Sequence, residues 1–135
     1  MIKGLIFVAF LIFSYPLKSF AQFTLTIEIH ELRSSNGQIL LQVYNETQNS
    51  VRGETGIIEN NKSLIVINDL KKAKYAFRYF HDENDNNELE TNWMGIPTEG
   101  FGFSNNAKGT FGPPSFKKWL FDLSGNVKMI CSPVY

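Results

Sequence analysis

The residues with the greatest capacity for chemistry lie in one run, His81-Asp82-Glu83-Asn84-Asp85-Asn86-Asn87-Glu88-Leu89-Glu90. Asp82, Asn84 and Asn86 carry side-chain oxygens at the first, third and fifth places of a calcium loop, where a tight turn aims alternate residues at one hard cation. Glu88 would add its backbone carbonyl, and Glu90 stands at the ninth place. Two departures exclude a full EF-hand: Asn87 replaces the glycine of the sixth place, and Trp93 replaces the bidentate glutamate of the twelfth. Asn87 is the milder of the two, because asparagine adopts the left-handed conformation more readily than other non-glycine residues. The run therefore reads either as a partial calcium site, completed by Glu99 or Asp69, or as a solvated acidic turn.

The same region holds the candidates for other chemistry. Trp93, Glu99, Phe101 and Phe103 are candidate ligand-binding residues, and Gly95, Gly100, Gly102, Gly109 and Gly112 would allow close approach of a backbone or a ligand. The competing expectation is that Trp93, Phe101, Phe103 and Phe111 fold back to cap the core, because exposed aromatics are costly in a soluble monomer. Trp119, between Phe116 and Phe121, reads as core. His81 beside Asp82 suggests a base with its orienting carboxylate, the basis of a hydrolase reading. Neighbours along a strand point to opposite faces, however, and the chain has only two histidines, no nucleophile elbow and no zinc-type cluster.

The elements that must position these residues are strands. Phe23, Leu25, Ile27 and Ile29 alternate with Thr24, Thr26, Glu28 and His30, the period of a half-buried strand, with His30 facing solvent. Ser34-Ser35-Asn36-Gly37 supplies turn chemistry and Ile39, Leu41 and Val43 resume the alternation, so the two runs read as a hairpin. Ser63 to Ile67 is a further strand, Asn68-Asp69 a turn, and Lys74 to Phe80 a strand with Tyr75, Phe77 and Tyr79 on one face. Leu120 to Leu123 and Val127 to Cys131, around Ser124-Gly125-Asn126, form a second expected hairpin, after one helical turn at Ser115 to Trp119. Lys71, Lys72 and Lys74 read as edge protection or as a solvated basic turn. Residues 81–116 break the pattern and read as one long ordered loop rich in Gly and Asn.

Composition bounds the rest. Lys3, the apolar run from Gly4 to Phe13, the breaker Pro16 and Ser19-Phe20-Ala21 have the three parts of a cleavable signal peptide, residues 1–21, so residues 22–135 are expected as one mature domain. Ser14, Pro16, Lys18 and Ser19 interrupt too early for the roughly 20 apolar residues of a membrane anchor, and no later stretch spans. The expected location is periplasmic or extracellular. Without Lys3 and Lys18, 11 basic residues face 13 acidic ones, which excludes the basic patch that nucleic acid requires. Cys131 is the only cysteine, so no internal disulfide forms, and its place in the alternation Val127, Met129, Cys131 suits a buried filler.

Three stretches carry a family resemblance: Tyr75-Ala76-Phe77-Arg78-Tyr79-Phe80-His81-Asp82-Glu83-Asn84-Asp85-Asn86, then Thr91-Asn92-Trp93-Met94-Gly95-Ile96-Pro97-Thr98-Glu99-Gly100-Phe101-Gly102-Phe103-Ser104-Asn105-Asn106, then Gly112-Pro113-Pro114-Ser115-Phe116. The chain resembles the bacterial secreted family catalogued as domain of unknown function 2141. Asn87 and Glu90 depart from its pattern inside the acidic run. The resemblance implies an exported protein with an immunoglobulin-like or transthyretin-like β-sandwich, and it brings no established activity. The fold expected from both lines is an all-β antiparallel sandwich of about seven strands.

Three functions follow as expectations. The first is a non-catalytic binding or interaction module that uses the long loop, with a carbohydrate or cell-envelope component as partner. The others are a small secreted hydrolase using His81 and a structural cell-envelope subunit.

Overall fold

The computed structural model describes residues 14–135, so the charged and apolar parts of the expected signal peptide up to Phe13 lie outside the described residues. Nine strands, one 3-10 turn and one short helix follow. They are β1 (Gln22–Ile29), β2 (Gln38–Asn45), β3 (Ser50–Gly56), β4 (Ile58–Glu59), β5 (Lys62–Lys71), β6 (Ala73–Asp82), β7 (Phe101–Phe103), a 3-10 turn at Ser104–Asn106, α1 (Phe116–Trp119), β8 (Phe121–Leu123) and β9 (Val127–Cys131). Nine exceeds the seven or so expected, and three of them, β4, β7 and β8, are only two or three residues long. Among the described residues, no helix is long and apolar enough to cross a membrane.

The strands form two sheets, one ordered β4-β5-β1-β9 and the other β3-β2-β6-β7, with β8 also pairing β6. All pairs are antiparallel except β1 with β9, which run parallel. Alternation along β1 buries Leu25, Ile27 and Ile29 completely, and they meet Ile39, Leu41 and Val43 of β2 and Tyr75, Phe77 and Tyr79 of β6 in one core. Complete burial of such an aliphatic side chain stabilises by about 1.5 to 3 kcal/mol, so this alternating set is the main source of cohesion. Cys131 is buried at the end of β9, and burial pushes its thiol pKa up to about 11, which leaves it protonated and unreactive at neutral pH.

Several local expectations are corrected by the pairing. Neither expected hairpin forms, because β1 and β2 belong to different sheets, as do β8 and β9. The turn residues after each strand carry the chain across the sandwich instead of reversing it within a sheet. Asn68-Asp69 is not a turn: β5 runs through it, Asp69 takes φ 63°, and the register against β1 slips between Phe23 and Leu25, the mark of a bulge. The polar stretch before Ser63 contains β3 and β4, edge strands held by backbone ladders to β2 and β5 and lacking a continuous apolar face. The long loop is shorter than expected, since β7 and the 3-10 turn occupy its second half.

Candidate functional site

The last residues of β6 launch the loop, and period two sends His81 into the sandwich and Asp82 to its other face. Both side chains are buried and fully engaged. Asp82 Oδ1 accepts the Asn86 N–H at 3.1 Å, and Oδ2 accepts the Asn87 N–H at 3.0 Å and the Gln38 amide at 3.0 Å. Asn87 has φ 63°, so it adopts the left-handed turn expected at the sixth place of the run. Asn84 Oδ1 approaches the same Asn86 N–H at 3.3 Å, and Asn86 Oδ1 accepts the Glu88 N–H at 2.9 Å. Glu90 Oε1 receives the side-chain amides of Asn84 and Asn86, the latter at 3.0 Å.

The loop thus closes on its own hydrogen bonds. Asp82, Asn84, Asn86 and Glu90 do come together, while Glu88 contributes only its N–H to the network and leaves its carboxylate at the surface. Among the described residues, no three or more His, Cys, Asp or Glu side chains are grouped to hold a metal ion. Neither candidate for completing an ion site is placed to do so. Glu99 is spent on backbone groups, and Asp69 lies in β5 beyond the start of β6, whose ten residues at about 3.3 Å each separate it from Asp82.

Glu99 braces the loop from within. It is buried, with Oε1 accepting the Glu83 N–H at 3.0 Å and Oε2 the Glu90 N–H at 3.2 Å. Both ends of the acidic run are thereby tied to one carboxylate, by charge-assisted bonds roughly twice as strong as neutral ones. Glu99, expected among the ligand-binding residues, thus has both oxygens turned onto the protein. Arg33 adds an outer tie, donating from Nε to Glu83 Oε1 at 2.9 Å and from a terminal nitrogen to the Thr98 carbonyl at 3.2 Å.

His81 occupies the centre of the same knot. Its Nε2 lies 2.7 Å from the Asn36 carbonyl, which can only accept, so Nε2 carries the proton and Nδ1 accepts from the Tyr135 hydroxyl at 2.8 Å. The Tyr135 oxygen in turn accepts the Arg33 N–H at 3.1 Å, and the Arg33 guanidinium sits 4.5 Å from the Tyr135 ring centre. Partial burial raises the Tyr135 pKa, which keeps the hydroxyl a donor. With both ring nitrogens occupied inside the fold, His81 has no nitrogen facing a substrate.

Beyond the bridge between Thr91 and Pro97, the loop ends in a locked tip. Asn92 Oδ1 accepts the N–H groups of Met94 at 2.9 Å and Ile96 at 3.1 Å, the Asn92 N–H reaches the Ile96 carbonyl at 2.8 Å, and Gly95, at φ 77°, donates to the Asn92 carbonyl at 2.9 Å. This fixed turn holds Trp93 at 91% exposure, Met94 at 58% and Ile96 at 53%. Trp93 therefore does not cap the core, and neither does Phe111, which is fully exposed.

Phe101 and Phe103 separate from Trp93. Gly102 lies opposite Tyr79 on the inner face, where a Cβ would come within 2.4 Å of the Tyr79 hydroxyl, so the flanking phenylalanines point outward. There Phe103 meets Trp119 edge-on at 4.8 Å between ring centres, and Trp119 also contacts Phe116 at 4.9 Å and Tyr44 at 5.9 Å. The four rings form a small half-buried cluster outside the second sheet, a location other than the central core expected for Trp119. Its Nε1–H is buried with no hydrogen-bond partner.

On the opposite sheet, Glu28 is hydrogen-bonded to Lys128 at 2.6 Å and to His30 Nε2 at 2.9 Å, and these contacts, Lys128 foremost, hold the Glu28 carboxyl below its usual range. His30 is accordingly half-buried and paired, where an open solvent-facing position was expected. Residue spacing reveals the Glu28–His30 pair, two apart on a strand. The roles of Arg33, Gln38, Asn92 and Tyr135 carry no such signal, since each acts across contacts distant in sequence or inside an irregular turn.

A family model described as an uncharacterized protein conserved in bacteria (DUF2141) matches residues 27–130, a span that includes both the acidic run and the tip. No curated protein and no solved structure matches the chain.

Proposed function

The chain belongs to the DUF2141 family of uncharacterized proteins conserved in bacteria, and from that premise we propose that it is an exported, non-catalytic β-sandwich module that docks on a cell-envelope component through the loop between β6 and β7. The observation that carries this reading is the tip: Trp93, Met94 and Ile96 stand in solvent on a backbone locked by Asn92. Contiguous exposed apolar side chains mark interaction sites in soluble proteins. A turn already fixed in one conformation loses little entropy on binding. Export is supported by the charged, apolar and small-residue segments of residues 1–21, and a non-catalytic role by the engagement of both His81 ring nitrogens.

A carbohydrate partner has weaker support than an apolar one. Sugar recognition needs polar side chains aimed outward around an aromatic face, whereas Asn92 Oδ1 and both Glu99 oxygens are turned onto backbone N–H groups. Binding of the purified protein to isolated bacterial envelopes tests the docking reading. Trp93→Ala should weaken retention by about tenfold, the worth of burying such a side chain, with an unchanged melting temperature. Equal retention of parent and variant would remove the tip from the function.

Calcium enters this proposal as a structural brace for residues 82–90. Its support is the left-handed Asn87 and the approach of Asp82 Oδ1 and Asn84 Oδ1 to one N–H group. An ion would have to turn the Asn84 and Asn86 amides so that oxygen, not nitrogen, faces Glu90, exchanging two hydrogen bonds for coordination. Its effect is therefore expected to be a modest gain in stability.

A further inference from the structure

We infer that the cell-envelope component is the interfacial region of a lipid bilayer of low negative charge, into which Trp93, Met94 and Ile96 insert; this rests on the docking reading above. Two features of the tip choose lipid over a protein partner, and its charge selects the headgroup. The first is its size. At their exposures the three side chains present on the order of 400 Å², about half of the 800 Å² that each side of a stable protein interface contributes.

Chemistry is the second feature. Tryptophan favours the boundary between headgroups and acyl chains, where an apolar ring carries one polar N–H, and Met and Ile behind it supply purely apolar depth. A convex turn of three such side chains suits shallow insertion into a fluid layer, which needs no complementary pocket. Insertion leaves few backbone donors to be stripped of water, because Asn92 already binds the N–H groups of Met94 and Ile96 through its side chain and that of Gly95 through its carbonyl.

Charge selects the headgroup. Residues 79–107 contain Asp82, Glu83, Asp85, Glu88, Glu90 and Glu99 and no Lys or Arg. Arg33 offsets Glu83, and Asp82 and Glu99 are buried, which leaves Asp85, Glu88 and Glu90 on the exposed side of the acidic run. An anionic surface would repel these carboxylates over a Debye length, so zwitterionic headgroups are the compatible ones.

The test uses the purified protein with vesicles of phosphatidylcholine alone and of phosphatidylcholine mixed with phosphatidylglycerol, read by co-sedimentation and by tryptophan emission. A Trp119→Phe background isolates Trp93; should it lose its fold, the difference between parent and Trp93→Phe in quenching by brominated lipid reads the same residue. The expected result is binding to phosphatidylcholine with a blue shift of the Trp93 emission, at least about tenfold weaker in Trp93→Ser, and weaker again on the anionic mixture at low salt. Binding that ignores Trp93, or that requires the anionic lipid, overturns the inference. Failure on all vesicles with Trp93-dependent retention by delipidated envelope material would overturn the lipid assignment and leave the docking reading standing. Failure on both would remove both.

Discussion

The Tyr135 hydroxyl donates to His81 Nδ1 at 2.8 Å, joining the segment that follows β9 to the point where β6 opens into the loop. Tyr135→Phe removes this bond and the acceptor of the Arg33 N–H, and should destabilise the fold by about 1 to 2 kcal/mol. His81→Ala should cost more, about 2 to 4 kcal/mol, because it also opens a buried cavity and strands the Asn36 carbonyl. Denaturant unfolding of the two variants ranks them; an equal effect would mean that water replaces the imidazole.

The Glu99 carboxylate offers one acceptor to each end of the acidic run. Glu99→Gln keeps the size but turns an NH2 group toward either the Glu83 or the Glu90 N–H, which sets donor against donor. A loss of about 2 to 3 kcal/mol is expected, with faster hydrogen exchange at whichever amide loses its acceptor. Unchanged exchange at both amides would show that the loop is held elsewhere, through Arg33 or Asp82.

Calcium should raise the melting temperature reversibly at millimolar concentration, by binding the folded loop selectively, and a chelator should return it. Asp82→Ala should abolish the response and also lower the starting stability, since Asp82 caps the N–H groups of Asn86 and Asn87 without any ion. No shift in the parent protein would make the loop a self-braced turn, and the acidic run would then serve only to set the charge around the tip.

Tyr79 carries a buried hydroxyl with no hydrogen-bond partner, pressed against Gly102, and burial moves its pKa strongly upward. Tyr79→Phe removes a desolvated polar group and little volume, so it should leave stability unchanged or raise it by about 1 kcal/mol. A clear loss of stability would reveal a bound water serving that oxygen.

Residue order by itself determined the class of the fold, because alternation is a local property. Leu25, Ile27 and Ile29, or Tyr75, Phe77 and Tyr79, declare a strand and its buried face without reference to any partner. The left-handed turn at Asn87 was legible for the same reason, as a preference of one residue for one conformation. Strand partners are another matter. Turn residues after β1 and β8 mark a change of direction, and only burial of both inner faces decides that each change crosses to the other sheet.

The candidate site divides along the same line. The run from Asp82 to Glu90 was visible because its members are neighbours, whereas the brace at Glu99 depends on the return of the chain through β7. The exposure of Trp93 was decided only in three dimensions, by Asn92 fixing a turn that holds the indole away from the core, while Phe103 and Trp119 found a cluster outside the second sheet. Local sequence states what a side chain prefers, and the tertiary structure decides whether a partner stands within reach to satisfy it.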